Sequence, residues 1–215
     1  MKIIGINGSP RKIKNTYTLL ENALEGANHN KAETEIIHLY DLNYRGCHSC
    51  FQCKLKNGHS YGKCVIKDDL KELFKKIEDS DGFILASPIY FRSVTGEMRS
   101  FLERLLFQYV AYTNPPHTLF EKSIKTAFIY TMNNSEEDMI RNGFATHLNV
   151  MEGYLKMIYG NFESLNSFDT YQFDDYSKYV ADRFDPEKKK QIKESVFPID
   201  CKKAFELGQR MTLPI

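Results

Sequence analysis

Four of the five cysteines lie between positions 47 and 64, as Cys47-x-x-Cys50-x-x-Cys53 followed, after ten intervening residues, by Cys64. Four thiolates are the ligand number of a [4Fe–4S] cluster, and two successive two-residue gaps let three of them wrap one cluster face. Thiols without any metal answer the same pattern, because free cysteine also packs as a small hydrophobe. Zinc is a third reading, weakened because all-cysteine zinc sites pair two short motifs and only one is present. His48 and His59 are the nearby imidazoles, and as loop histidines they read as solvent-facing. Cys201 stands apart, at a helix start, and reads as packing.

Two further segments carry binding chemistry. Gly8-Ser9-Pro10-Arg11, then Asn15-Thr16, joins an apolar run to a helical pattern. A helix N-terminus offers unsatisfied N–H groups and a partial positive charge, so this is a place to bind phosphate. Ser9, Arg11, Asn15 and Thr16 add hydroxyl, guanidinium and amide donors, and Gly8 lets the backbone turn closely. An ordinary capped loop is the bland alternative. The segment is neither a Walker loop nor a Gly-x-Gly-x-x-Gly dinucleotide fingerprint. The second segment, Ser87-Pro88-Ile89-Tyr90-Phe91-Arg92-Ser93-Val94-Thr95-Gly96, places two adjacent aromatics where they could flank a flat ring. Its bland alternative is a pair of surface aromatics covering a helix start.

The elements that must hold these segments alternate strand and helix. Lys2–Asn7, Glu35–Leu39, Gly82–Ala86 and Thr126–Tyr130 read as strands, with a weaker fifth within Phe162–Tyr171. Helical spacing runs through Leu19–Ala27, Leu70–Ile77, Met98–Leu106 and Leu148–Ile158, with Asn15 placed as N-cap of the first and Asp68 or Asp69 of the second. Such alternation implies an α/β fold, a doubly wound five-stranded parallel sheet of flavodoxin-like order 2-1-3-4-5. Ligands then bind at the switch point, outside the carboxyl ends of strands one and three, where the two segments fall. Residues 1–173 read as this domain and 174–215 as a helical C-terminal extension packed on it. Within the extension, Asp185-Pro186-Glu187 opens one helix, Asp200 is placed to cap another, and Lys188-Lys189-Lys190 reads as a solvated face. Asp174-Asp175 receives no role, and His147 reads as structural.

Bulk composition narrows the partners. With 29 Lys+Arg against 28 Asp+Glu and no basic stripe, nothing favours nucleic acid or an anionic membrane. No apolar stretch approaches the ~20 residues of a membrane span, and the N-terminus lacks a signal peptide's pattern, so a cytoplasmic location is expected.

Gly8-Ser9-Pro10-Arg11, Ser87-Pro88-Ile89-Tyr90-Phe91 with Thr95-Gly96, and Gly62-Lys63-Cys64-Val65-Ile66-Lys67-Asp68-Asp69 together resemble the NAD(P)H-dependent FMN reductase superfamily, and within it the branch containing iron-sulfur flavoproteins. The likeness covers the chain to about residue 135 and, more loosely, the terminal Ala204–Gly208 segment. It implies that Ser9, Arg11, Asn15 and Thr16 hold the FMN phosphate and that Pro88, Ile89, Tyr90 and Phe91 border the isoalloxazine. It also implies that Thr131 and Asn133, in the loop after strand four, close the pocket, although that loop lacks the glycines common there. The ten-residue gap before Cys64 is longer than in iron-sulfur flavoproteins. The implied activity passes electrons from NAD(P)H through FMN to a flavin, quinone or other small acceptor. The alternative is a carrier relaying electrons between a cluster at Cys47, Cys50, Cys53 and Cys64, the flavin and a redox protein. The likeness implies a homodimer or homotetramer and demands no catalytic acid or base.

Overall fold

A computed structural model describes residues 1–215. Its parallel strands are β1 (Lys2–Asn7), β2 (Glu33–His38), β3 (Gly82–Tyr90), β5 (Ile124–Thr131) and β6 (Gly160–Ser167). They lie in the order β2-β1-β3-β5-β6, which is the expected 2-1-3-4-5 arrangement. A two-residue strand, β4 (Ser93–Val94), folds back antiparallel on the end of β3. Helices α1 (Asn15–His29), α2 (Leu70–Asp79), α3 (Gly96–Tyr109), α4 (Glu136–Arg141), α5 (Phe144–Tyr159), α6 (Pro186–Ser195) and α7 (Phe197–Met211) complete the chain. No helix is long and apolar enough to cross a membrane.

The central strands are apolar on both faces because both are covered. Alternate side chains go to opposite cores. Ile4, Ile6, Phe83, Leu85, Phe128 and Tyr130 join α2, α3 and α5. Ile3, Ile84, Ala86, Ala127 and Ile129 face α1 and α7. On that second face, α1 and α7 approach one another closely. A Cβ on Gly208 would lie 1.6 Å from the carbonyl oxygen of Ala23, and one on Gly26 would lie 1.9 Å from that of Phe205. The C-terminal helix is thus packed backbone to backbone on α1.

Several sequence expectations need correction. Asn15 is the first residue of α1 rather than its cap; Lys14 holds the cap position and no side chain caps the helix. Asp68, not Asp69, accepts from the Leu70 N–H, at 3.2 Å. The fifth strand begins and ends earlier than the expected window. Asp200 does not cap a helix, because α7 already starts at Phe197. Its carboxylate is buried and accepts from the Ser167 hydroxyl at 2.8 Å, tying α7 to the end of β6. Lys189 is not solvated: its ammonium is buried against Asp169 at 2.9 Å and the Asn133 carbonyl at 3.0 Å. Asp174 also has a partner, Lys14, at 2.8 Å.

Candidate functional site

The loop after β1 is ordered by its own short side chains. Asn7, fully buried at the end of the strand, accepts from the Ser9 N–H at 3.0 Å, and its amide nitrogen lies 3.0 Å from Nδ1 of His38 on β2. Burial pulls the His38 imidazole down, favouring its neutral form. The Ser9 hydroxyl accepts from the Arg11 N–H at 3.1 Å. This turn ends at the uncapped α1, whose first turn holds no acidic residue. Its leading N–H groups therefore lack side-chain partners and carry the positive end of the helix dipole. Arg11, Lys12 and Lys14 precede them.

The second segment is a hairpin rather than an irregular loop. Ile89 pairs with Val94 and Tyr90 with Ser93. Phe91 and Arg92 form its two-residue turn at φ 50° and 66°, the left-handed pair typical of a type I′ connection. Phe91 is fully exposed at the tip and Tyr90 half-exposed, so aromatic surface stands open on this hairpin.

Thr95 fastens the hairpin to that loop. Its hydroxyl donates to the Gly8 carbonyl at 2.7 Å and accepts from the Met98 N–H at 3.3 Å, capping α3. Its own N–H donates to the Ser87 hydroxyl at 3.1 Å. A Cβ on Gly8 would meet Met98 at 2.8 Å, so glycine permits this approach. Tyr40, in the turn after β2, lies against the same junction. Burial raises its phenol, and Thr95 and Tyr90 are among its neighbours. The sequence reading missed Asn7 and Tyr40, and placed Thr95 in a motif without a role. A polar residue closing an apolar strand was the available signal for Asn7; Tyr40 had none.

Of the other expected residues, Thr16 and Thr131 come together, their buried hydroxyl oxygens 2.7 Å apart. Asn15 turns its amide to the Tyr171 carbonyl at 2.8 Å. Asn133 donates to Gln172 Oε1 at 2.6 Å, while its own Oδ1 is buried with no partner. The stretch after β6 therefore walls the site, and Pro88 and Ile89 lie half-buried along β3. An uncapped helix N-terminus, adjacent cations, an orphaned amide oxygen and exposed aromatic rings fit a phosphorylated planar cofactor.

The cysteine segment is anchored beside α3. Lys54 donates to the carbonyls of Phe107, Gln108 (3.1 Å) and Val110 (2.6 Å), placing a cation at the carboxyl end of the helix. Cys64 donates its N–H to Gln108 Oε1 at 2.9 Å, and the neighbouring Asp68 pairs with the buried Arg104. Burial pushes the Cys53 thiol up, with smaller contributions from Cys64, Cys50 and Cys47, so the four share one neighbourhood. Cys50 is exposed, however, and no three His, Cys, Asp or Glu side chains converge closely enough to hold a metal ion. As folded, Cys47, Cys50, Cys53 and Cys64 form no single-ion metal site. His48 and His59 are exposed, and Cys201 lies half-buried within α7.

The family model described as NADPH-dependent FMN reductase matches residues 1–139. An iron-sulfur flavoprotein of Archaeoglobus fulgidus is 40% identical over 106 residues, covering 49% of this chain and 46% of the relative. One of Methanocaldococcus jannaschii is 41% identical over 104 residues, covering 48% and 51%. The chain spans about half the length of these curated relatives. Among solved structures, the NAD(P)H:quinone oxidoreductase from Methanothermobacter marburgensis superposes with a TM-score of 0.72 at 17% identity, covering 98% of both chains. An FMN-dependent NADH-azoreductase from Bacillus anthracis in complex with FMN gives 0.66 at 14%, covering 99% of this chain and all of that one. At such identities the structural likeness shows the fold alone.

Proposed function

The chain belongs to the NADPH-dependent FMN reductase family, and we propose that it is an FMN-dependent oxidoreductase that takes electrons from NAD(P)H and delivers them to a flavin, quinone or other small acceptor. The observation that carries this reading is the Thr95–Gly8 bond, which sets an uncapped helix N-terminus beside an aromatic hairpin. Bound FMN would supply the hydride and electron chemistry. The α1 N-terminus, Ser9 and Arg11 would bind its phosphate, with Asn15 and Thr16 positioning the loop through their bonds to Tyr171 and Thr131. Pro88, Ile89, Tyr90 and Phe91 would border the ring, and Asn133 Oδ1 offers an acceptor. No side chain is assigned as acid or base. Phe51, Tyr112 and Tyr154 are exposed and line one apolar hollow, a surface that supports self-association as a homodimer or homotetramer.

The test is an anaerobic FMN titration followed by NADPH and NADH oxidation with a quinone acceptor. Saturable flavin binding with turnover is expected. Arg11→Ala should weaken FMN about tenfold or more, since a hydrogen bond to a charged group contributes about 1.5–3 kcal/mol. Absence of flavin binding would overturn the reading.

A second reading, the iron-sulfur relay, draws on the relatives' names and on the shared neighbourhood of the four thiols. As folded, the four thiols form no single-ion metal site. Iron and sulfide analysis of anaerobically purified protein separates the two: about four irons per chain would favour the relay, and flavin without iron would remove it.

A further inference from the structure

Beyond the flavin loops, a cavity of about 320 Å³ opens beside the hairpin, lined by Phe91, Arg92, Ser93, Arg99 and His147 over a floor of Val150 and Met151. Its polar groups come from three elements: Arg92 and Ser93 from the hairpin, Arg99 from α3 and His147 from α5. No carboxylate lines it. Arg92 is held in place from the far side, donating to the Asn142 carbonyl at 3.3 Å and lying over the Phe144 ring. Arg99 has only a loose partner, Glu103 at 3.7 Å, with both side chains about half exposed. The guanidinium of Arg99 therefore retains donors for a ligand.

From this arrangement the geometry points to a second anion subsite: the cavity binds the phosphate monoester of a nucleotide, with Arg92, Arg99 and His147 on the phosphate and Phe91, Val150 and Met151 against the base. Two guanidinium groups from different elements, with a hydroxyl and an imidazole, form a donor set suited to a dianionic phosphate. A carboxylate ligand would need fewer cations, and a purely apolar one would leave them unmatched. The cavity's size is at the small end of the ~300–1,000 Å³ typical of ligand sites, which suits half of a dinucleotide rather than the whole. Because the hairpin borders both this cavity and the proposed flavin ring, the nucleotide is assigned as the adenosine 2′-phosphate half of NADPH. That assignment rests on the proposed oxidoreductase reading; the phosphate subsite itself does not.

The experiment titrates FMN-loaded protein with adenosine 2′-phosphate, adenosine and inorganic phosphate by calorimetry, for wild type, Arg99→Ala and His147→Ala. Adenosine 2′-phosphate should bind at least tenfold more tightly than either fragment. Arg99→Ala should weaken it about tenfold, with FMN affinity retained as the control for folding, and His147→Ala should act in the same direction. In turnover, Arg99→Ala should raise KM for NADPH and leave KM for NADH unchanged. Equal binding of adenosine and its 2′-phosphate, or an Arg99→Ala variant with wild-type affinity, would overturn the subsite. Arg99-dependent binding by a protein that oxidises neither cofactor would support the subsite while overturning the hydride-donor reading.

Discussion

The hydroxyl of Thr95 donates to the carbonyl of Gly8 at 2.7 Å, joining loops 87 positions apart in sequence. The same oxygen accepts from the Met98 N–H, so one buried hydroxyl serves as both helix cap and inter-loop clasp. Thr95→Ala removes both roles. Loss of a cap costs about 1 kcal/mol, and an orphaned buried carbonyl at Gly8 adds about 1–3 kcal/mol. Urea unfolding should show a loss of about 2–4 kcal/mol, and FMN titration a weaker complex. Thr95→Ser keeps the hydroxyl and should behave nearly as wild type. If Thr95→Ala bound FMN normally, the clasp would have no part in shaping the site.

Glycine at 208 is fixed by the α1–α7 crossing. The missing side chain leaves room for the Ala23 carbonyl, which an added Cβ would meet at 1.6 Å, with the Ala27 nitrogen at 3.0 Å. Both are backbone atoms and cannot swing aside. Gly208→Ala should cost at least about 2 kcal/mol through overpacking, exceeding the roughly 1 kcal/mol that alanine gains in helix propensity. Gly153 in α5 is the converse case, exposed and with nothing within 4 Å of its Cβ position. Gly153→Ala should therefore stabilise by about 1 kcal/mol. Melting temperatures of the two variants should move in opposite directions; a shared direction would contradict this account of the crossing.

Lys189 couples the C-terminal extension to the site. Its ammonium, 4% exposed as a residue, donates to Asp169 and to the carbonyl of Asn133, the residue whose Oδ1 faces no partner. Lys189→Ala would leave both acceptors short. Asp169 keeps some solvent contact, so the cost should be about 2 kcal/mol rather than the 3–5 kcal/mol of a fully buried broken pair. Chemical denaturation measures it, and an unchanged midpoint would mean that the pair contributes nothing.

Much of the architecture was legible because it depends on local pattern. Ile4, Ile6, Phe83 and Leu85 alternate with Ile3 and Ile84, and a sheet covered on both faces must show apolar residues at each position. The loops after β1 and β3 could be read because glycine, proline and polar residues punctuate those strands. What escaped depends on contacts distant in sequence. Lys188, Lys189 and Lys190 are alike as letters, and only the packing of α6 decides which of them meets Asp169. Asp200 looks like a cap until Ser167, 33 positions earlier, is seen to donate to it. The hairpin turn was hidden because Phe91 and Arg92 occupy left-handed positions where asparagine and glycine would have announced it. The cysteine spacing counted four thiols but could not show where they lie relative to one another.

Glu152 on α5 supplies a pH signature. Burial raises its carboxyl, outweighing the opposing pull of the nearby Ser164 and Tyr130 hydroxyls. The folded protein then binds this proton more tightly than the unfolded chain, whose glutamate titrates near ~4.3. Its contribution is fully present below that value and is lost as pH rises through the raised folded pKa. At neutral pH the charged carboxylate is therefore a partly desolvated burden. Glu152→Gln removes the charge while keeping the shape and hydrogen-bonding capacity of the side chain. The variant should melt higher than wild type at pH 7, and the gap should narrow as pH falls towards 4. Melting curves from pH 4 to 8 decide the matter: a gap independent of pH would show that the carboxyl is not raised on folding.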